Sequence, residues 1–540
     1  MSSTHSIAHA STSASGRWGV CAGGHPLTVE AGRRAFEAGG NAIDAAVAAQ
    51  LMATVAEPLL TGLGGGGIAL LRHQGQTRIL DFFSDRPGLG PTRTFAPLEH
   101  TEVSFAGVDV QRFSYGVASV AVPGMIKGLW ALHKAGGRLS LPKLARWAAD
   151  QAERGLEVSS GLSKSIAALA PIIQEDEYLN TRLLVREADG SFTPATAGHR
   201  YHLAELSETL MRWSEGGPDA LFSGPPRDML LDTLGTFAPL SQLDLERYEV
   251  RWRAPLERRL ALPTGGDARI FTPSLPSQGG VQIAALVDQI ATRLTQRAHA
   301  RPTERLDPFG AEVIGLIAQE MRALEQTKGG NWPLPLTDQA QTPFWRSQLG
   351  FTTHISACDA QGTSVGITSS LGETAGVSVG ALGLILNNFM GEEDVAPPKC
   401  MPAIGERLYT MCSPSLLEYE HREGLQQTVL GSGGSSRIRS VVAHGALYAS
   451  EALLGLGADY TRITEAPRIH YEDGKLRLET FDRPDGVIEA TRELCDSWGD
   501  ELVCFDDMNL FFGGLHIASC GALGLKGAGD PRRSGSVSFA

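Results

Sequence analysis

Thr352 stands where a chain could turn one of its own residues into a nucleophile. Upstream, Lys328-Gly329-Gly330-Asn331-Trp332-Pro333-Leu334-Pro335 is rich in backbone breakers and predicts an exposed loop. Downstream, Thr353 to Cys358 mixes β-branched and small residues and predicts a strand, closed by a turn at Asp359-Ala360-Gln361-Gly362. A threonine freed at such a junction would carry both partners of an acyl-transfer reaction, the hydroxyl as nucleophile and its own α-amine as base. Threonine is also an ordinary β-former, so the residue alone leaves both readings open.

Three further segments carry groups that this chemistry would need. Ser369-Ser370 ends the next expected strand, Thr363 to Ser369, and could return a hydroxyl to the Thr352 hydroxyl. Gly431-Ser432-Gly433-Gly434-Ser435-Ser436-Arg437 follows a strand and precedes a helix, so its small residues can present backbone N–H groups to an oxyanion. Asn387-Asn388-Phe389-Met390-Gly391-Glu392-Glu393-Asp394 places an acidic cluster at a strand end, attractive to an amine. His354 shares the face of Thr352 by strand alternation and is read as structural. The other histidines lack metal-ligand spacing and the thiols lack an ordered histidine partner, so no metal centre or cysteine hydrolase is expected.

Positioning these groups falls to an ordinary globular chain. It has 540 residues, 42% hydrophobic and 20% charged, with a net charge of −13 that argues against a nucleic-acid partner. Residues 1–17 are expected to form a disordered tail. No signal peptide or membrane span is legible, and seven scattered cysteines suggest a reduced, cytoplasmic protein. Asn41 is expected to cap a helix over Ala42 to Leu51. Gly62 to Gly67 satisfies G-x-G-x-x-G, but its order is helix, glycines, strand, the reverse of a dinucleotide site; the glycines instead suit close backbone approach. Helical spacing follows at Leu139 to Arg154, Leu203 to Trp213, Val281 to Thr295 and Pro308 to Gln326. Beyond Thr352, short strands at Gly383 to Asn387 and Gln427 to Leu430 alternate with helices at Ser440 to Leu454 and Gly486 to Trp498.

Taken in order, the segments resemble the γ-glutamyltransferase (glutathione hydrolase) family of N-terminal-nucleophile hydrolases over nearly the whole chain. The resemblance runs through Gly39 to Ala48, Glu57-Pro58, Gly62 to Gly67, Leu80-Asp81-Phe82, Val122-Pro123-Gly124 and Pro276 to Gly280. It continues through Thr352-Thr353-His354, Leu386-Asn387-Asn388, Met411 to Pro414, Ala466 to His470 and Gly527 to Arg532. It implies an α+β, four-layer αββα sandwich made by two autoproteolytic fragments: a large subunit, 18–351 after the tail, and a small subunit, 352–540. The mature form would be a heterodimer of its own fragments, with higher oligomers open. It would use no cofactor, and its partners would be a small amide substrate and a water or amine acceptor. Thr352 would be the nucleophile, Ser370 a supporting hydroxyl, and the Gly434 and Ser435 amides the oxyanion hole.

The same resemblance exposes departures at the substrate-binding positions. Phe83 stands where the family has arginine, Gly372 where it has asparagine, Phe389 where it has glutamine and Glu392 where it has aspartate. Tyr409-Thr410 replaces a serine pair. A pocket without its guanidinium should reject a free α-carboxylate unless another cation substitutes, and Arg86 and Arg407 are the candidates. Three functions stay open: cleavage of γ-glutamyl amides such as glutathione, hydrolysis of another small acyl amide of oxamate or glutaryl type, and a non-catalytic binding relative.

Overall fold

The computed structural model describes residues 17–91, 94–105, 109–263, 265–327, 350–456 and 459–540. The expected loop Lys328 to Pro335 and the tail from Met1 to Gly16 lie outside them. The fold mixes helices and sheets. Before Thr352 come β1 (Gly19–Gly23), α1 (Pro26–Glu37), α2 (Ala42–Ala56), β2 (Gly66–His73), β3 (Gln76–Phe82), β4 (Arg251–Arg253), β5 (Leu256–Arg259), β6 (Ala268–Thr272) and α3 (Gln278–Ala300). From Thr352 onward come β7 (Thr352–Asp359), β8 (Ser364–Ser370), β9 (Ser415–His421), β10 (Gly424–Gly433), α4 (Arg437–Ala449), β11 (Gly514–Gly521), β12 (Lys526–Gly529) and β13 (Ser536–Phe539).

Two sheets carry the molecule. The first has strand order β4-β3-β2-β8-β7-β1-β13 and the second β5-β6-β9-β10-β11-β12. Strands from before and after residue 352 are therefore joined in both sheets, and in the first they interleave. α1 and α2 pack on the first sheet, β7 and β8 face β10 across the sheet-to-sheet interface, and α3 and α4 pack on the second sheet. Three apolar clusters fill these interfaces. One lies around α2, one around α3 and α4, and a smaller one between the sheets contains Val20, Leu70, Phe83, Cys358, Phe389 and Val429.

Strand alternation assigns every side chain of β7 to one of two environments. Ile355 and Ala357 enter the core beside α2, whereas Thr352, His354 and Cys358 face the other sheet. α2 is buried on all sides, and its alanines let it lie close to the first sheet; the Asn41–Asp44 capping box starts it as expected.

Several boundaries differ from the sequence reading. α4 spans Arg437–Ala449 rather than Ser440 to Leu454, because it springs directly from the turn at Gly434 and Ser435 and is succeeded by a turn at Ser450. The expected strand Gly383 to Asn387 contracts to Leu384–Ile385. The Asn387 side chain is spent on the backbone of Gly64 and Ala121 instead, a competitor to ladder pairing. The helix expected from Pro308 begins at Ala311 because Gly310 is extended.

A buried ion cluster clamps the end of β3. The Arg407 guanidinium lies 3.1 Å from Asp81 and 3.0 Å from Asp85, donates to the Phe83 carbonyl, and donates to the Glu249 carbonyl at 2.7 Å. Removing one partner of such a cluster strands the others without water. Arg407→Met is accordingly expected to destabilise the fold by about 3–5 kcal/mol, measured by denaturant unfolding; a loss under about 1 kcal/mol would show the clamp to be dispensable.

Candidate active site

β7 and β8 pair antiparallel with Thr352 directly opposite Ser370. In this register Thr352 Oγ1 donates to Ser370 Oγ at 3.3 Å, and Ser370 Oγ donates in turn to the Phe351 carbonyl oxygen at 2.8 Å. The Gly372 N–H donates to the same serine oxygen at 2.8 Å and fixes its rotamer. One hydroxyl thus bridges the candidate nucleophile and the carbonyl immediately before it. A donor on that carbonyl favours negative charge developing on its oxygen, as acyl transfer requires.

The surroundings hold this pair in place. On the helix-facing side, Gln50 of α2 binds both Ser369 and Thr61, and Glu57 accepts from Thr353 at 2.7 Å. A side chain on Gly65 would strike the Ser370 carbonyl at 2.1 Å, and one on Gly433 would strike the Thr352 carbonyl at 2.0 Å. The glycine run at 62–67 therefore serves close backbone approach, as expected. His354 is fully buried between Thr368 and Ser356, and burial holds it well below the usual imidazole range, so it is neutral and structural.

The end of β10 delivers Gly434 and Ser435 to the site. Ser435 has φ of 48°, a left-handed conformation costly for a residue with a side chain, and strain of this kind tends to collect at functional sites. Its hydroxyl donates to Asp394 at 2.9 Å. The Gly434 N–H has no hydrogen-bond partner among the described residues, as an oxyanion donor requires.

Thr352, Ser370, Ser435, Phe83, Phe389, Glu392 and Thr410 line one small cavity of about 20 Å³, room for about one water molecule. Gly372 abuts it, for a side chain there would meet Glu392 at 2.3 Å and Asn388 at 2.0 Å. Tyr409 does not line the cavity. It is half-buried, and its N–H is bonded to the Val395 carbonyl. Neither candidate replacement cation reaches the site: Arg407 belongs to the β3 clamp and Arg86 donates to the Pro402 carbonyl. Phe83 and Phe389, the two aromatic departures expected from the sequence, pack ring on ring with centroids 4.6 Å apart.

Sequence reasoning had not assigned Glu373 or Asp394. With Glu392 they form a buried acidic group beside the cavity, and each has a carboxylate oxygen with no donor among the described residues. Burial, reinforced by repulsion from the neighbouring acids, pushes Glu373 up to about 8 and Glu392 far above the usual carboxylate range, and burial with repulsion from Glu472 pushes Asp394 up to about 6. The acidic run around Asp394 was visible in the sequence, but its burial beside Ser435 arises only from the tertiary fold.

The gamma-glutamyltranspeptidase family model matches residues 28–306 and 309–540. The chain belongs to that family. Among curated members, the acylase ACY 1 proenzyme of Pseudomonas sp. (strain SE83) is 29% identical over 511 residues, covering 88% of this chain and 86% of the relative. The glutathione hydrolase proenzyme of Bacillus subtilis (strain 168) is 27% identical, covering 85% and 83%. Among solved structures, cephalosporin acylase from Bacillus halodurans superposes with a TM-score of 0.74 at 20% identity over 99% of each chain, a likeness of fold. The family thus spans glutathione hydrolases and acylases.

The acidic group generates a pH prediction. A carboxyl whose pKa rises from 4.5 unfolded to about 8 folded binds more protons in the native state between those values, so stability falls as pH rises through that window. In an uncleavable Thr352→Ala chain, the thermal midpoint should decline between pH 5 and 8, and adding Glu373→Gln should flatten the decline. An identical slope in both proteins would refute the assignment.

Proposed function

We propose that the protein is an autoprocessed amide hydrolase or acyl transferase with Thr352 as its N-terminal nucleophile. The observation that carries this reading is the hydroxyl chain from Thr352 through Ser370 to the Phe351 carbonyl. Attack of Thr352 Oγ on the Phe351 carbonyl carbon would break the peptide C–N bond and form an ester, with the nitrogen taking the hydroxyl proton. Water would then hydrolyse the ester, leaving a carboxylate on Phe351 and a free α-amine on Thr352. That amine would act as base when the hydroxyl next attacks a substrate amide. The Gly434 and Ser435 amides would receive the oxyanion, and Ser370 would hold the hydroxyl in line.

The same reading takes the fold as a four-layer αββα sandwich and the mature protein as a heterodimer of residues 1–351 and 352–540. The packing of helices on both outer faces of the paired sheets supports the first. The word proenzyme in the names of its relatives supports the second.

For the substrate, family membership and the glutathione hydrolase relatives favour γ-glutamyl amides. The pocket favours a different acyl group. Phe83 and Phe389 fill the expected α-carboxylate position with apolar surface, and the adjoining buried acids supply no cation to receive an anion. We therefore assign the protein to amides whose acyl part lacks the amino-acid head of glutamate, in keeping with its acylase relatives. No helix in the described residues is long and apolar enough to cross a membrane, and a cytoplasmic location is proposed.

On a denaturing gel the wild-type protein should resolve into two fragments, the smaller beginning at Thr352 by mass spectrometry, while Thr352→Ala stays whole. Ser370→Ala should slow cleavage by about a hundredfold, the usual cost of losing one donor to a developing oxyanion. A wild-type chain that remains intact would sink the mechanism. Initial rates on glutathione, a γ-glutamyl anilide, glutaryl amides and oxamate would decide the acyl group, and turnover restricted to γ-glutamyl compounds would reverse the assignment made here.

A further inference from the structure

A second cavity lies against the other flank of Gly350-Phe351, lined by Leu60, Gly161, Ser165, Leu510 and Arg533. Gly350 borders both cavities, so withdrawal of Gly350-Phe351 after cleavage would join them. The wall of the second cavity is apolar except for Ser165 and the guanidinium.

Arg533 is unlike its neighbour. Arg532 is fully engaged with Glu479 and Asp530, at 2.9 Å and 3.1 Å respectively. The Arg533 guanidinium makes no hydrogen bond or ion pair among the described residues, and its Nε is sealed from solvent. It runs along the end of β10. A methyl group placed on Gly433 would sit 3.4 Å from Arg533 Nη1 and 2.0 Å from the Thr352 carbonyl, and one on Gly434 would sit 3.6 Å from Nη2. The cation therefore faces the nucleophile's own residue and the turn that would hold the oxyanion. Burial lowers Arg533 to about 10, with Asp530 and Glu57 pulling the other way from beyond ion-pair distance, so it stays charged at neutral pH. A half-buried, unpaired guanidinium has desolvation to recover and a planar fork suited to a carboxylate.

We propose that Arg533 is a subsite for a substrate carboxylate, placed on the side of Thr352 opposite the buried acids. This rests on the hydrolase reading and deepens it. The molecule would accept an anionic group, but through a different cation and from a different direction than the position now filled by Phe83. The carboxylate could sit on the acyl part or on the departing amine, and the two are separable by experiment.

Three anilides would be compared on the processed enzyme: butyryl-p-nitroanilide, with no carboxylate; glutaryl-p-nitroanilide, with one on the acyl part; and butyryl-3-carboxy-4-nitroanilide, with one on the amine. Wild type should prefer one carboxylated substrate over the neutral one by about tenfold or more in kcat/KM, the usual value of a charge-assisted contact. In Arg533→Met that ratio should fall toward one, chiefly through KM, while Arg533→Lys retains part of it. A ratio near one in wild type, or one that survives in Arg533→Met, would overturn the subsite. Calorimetric titration of glutarate gives the same contrast without turnover: heat of binding lost in Arg533→Met supports the subsite, and equal binding by both proteins refutes it. A chain that stays uncleaved yet binds glutarate only through Arg533 would end the hydrolase reading and keep the subsite; a cleaved, active enzyme indifferent to carboxylates would do the reverse.

Discussion

The register between β7 and β8 is the constraint on which the rest of the site depends. Thr352 faces Ser370 only because every later pair, through Cys358 opposite Ser364, is also in step. A slip of one residue would turn Thr352 toward α2 and present Thr353 to the other sheet, since side chains alternate faces strictly. Both sides of the pairing resist such a slip. Ile355 and Ala357 need the core beside α2, and the buried polar group of Gln50, Thr61 and Ser369 has partners only in the observed step. Gly65 and Gly433 press the neighbouring backbones against this pair so closely that any side chain there would displace it.

Around this fixed centre the electrostatic surroundings are divided. One side is acidic and closed, its carboxyls holding protons because water has been excluded and because they crowd one another. The other side carries a cation beside Phe351 that has no ion-pair partner among the described residues. A substrate crossing Thr352 would meet low dielectric throughout, where a single charge contact has more effect than it would in water. Selectivity in such a site depends less on shape than on which end of the ligand is charged.

Much of this was legible in the sequence because it depends on local chemistry. The strand that opens at Thr352 and the turn that closes it, the Asn41 cap and the glycines at 62–67 each follow from what individual residues permit. The return of Ser370 to Thr352 was legible in the strand pattern, but the approach of Ser435 and Phe389 was legible only through resemblance, since nothing in their spacing measures distance across two sheets. Arg86 and Arg407 illustrate the converse. An arginine near the right place in the chain reads as a candidate cation, yet the fold spends Arg407 on Asp81 and Asp85 and Arg86 on a carbonyl. Arg533 sits one residue beyond a recognisable motif, and what distinguishes it from Arg532 is the lack of a partner among the described residues, a property no sequence displays. The burial of Glu373 and Asp394 was hidden for the same reason: charged residues read as solvated until the packing closes over them.

The crowding at Gly372 has a consequence for how this pocket could change over evolutionary time. Its position is occupied from outside by Glu392 and Asn388, so an asparagine could not return there unless both moved first. An arginine at position 83 would be thrust against the Phe389 ring, in a cavity that it would share with the carboxyls of Glu392 and Asp394. Each family-type residue would thus require a shift of its present neighbours, so the effect of one substitution here depends on the others. The pocket is a coupled group: its residues change together or not at all without repacking.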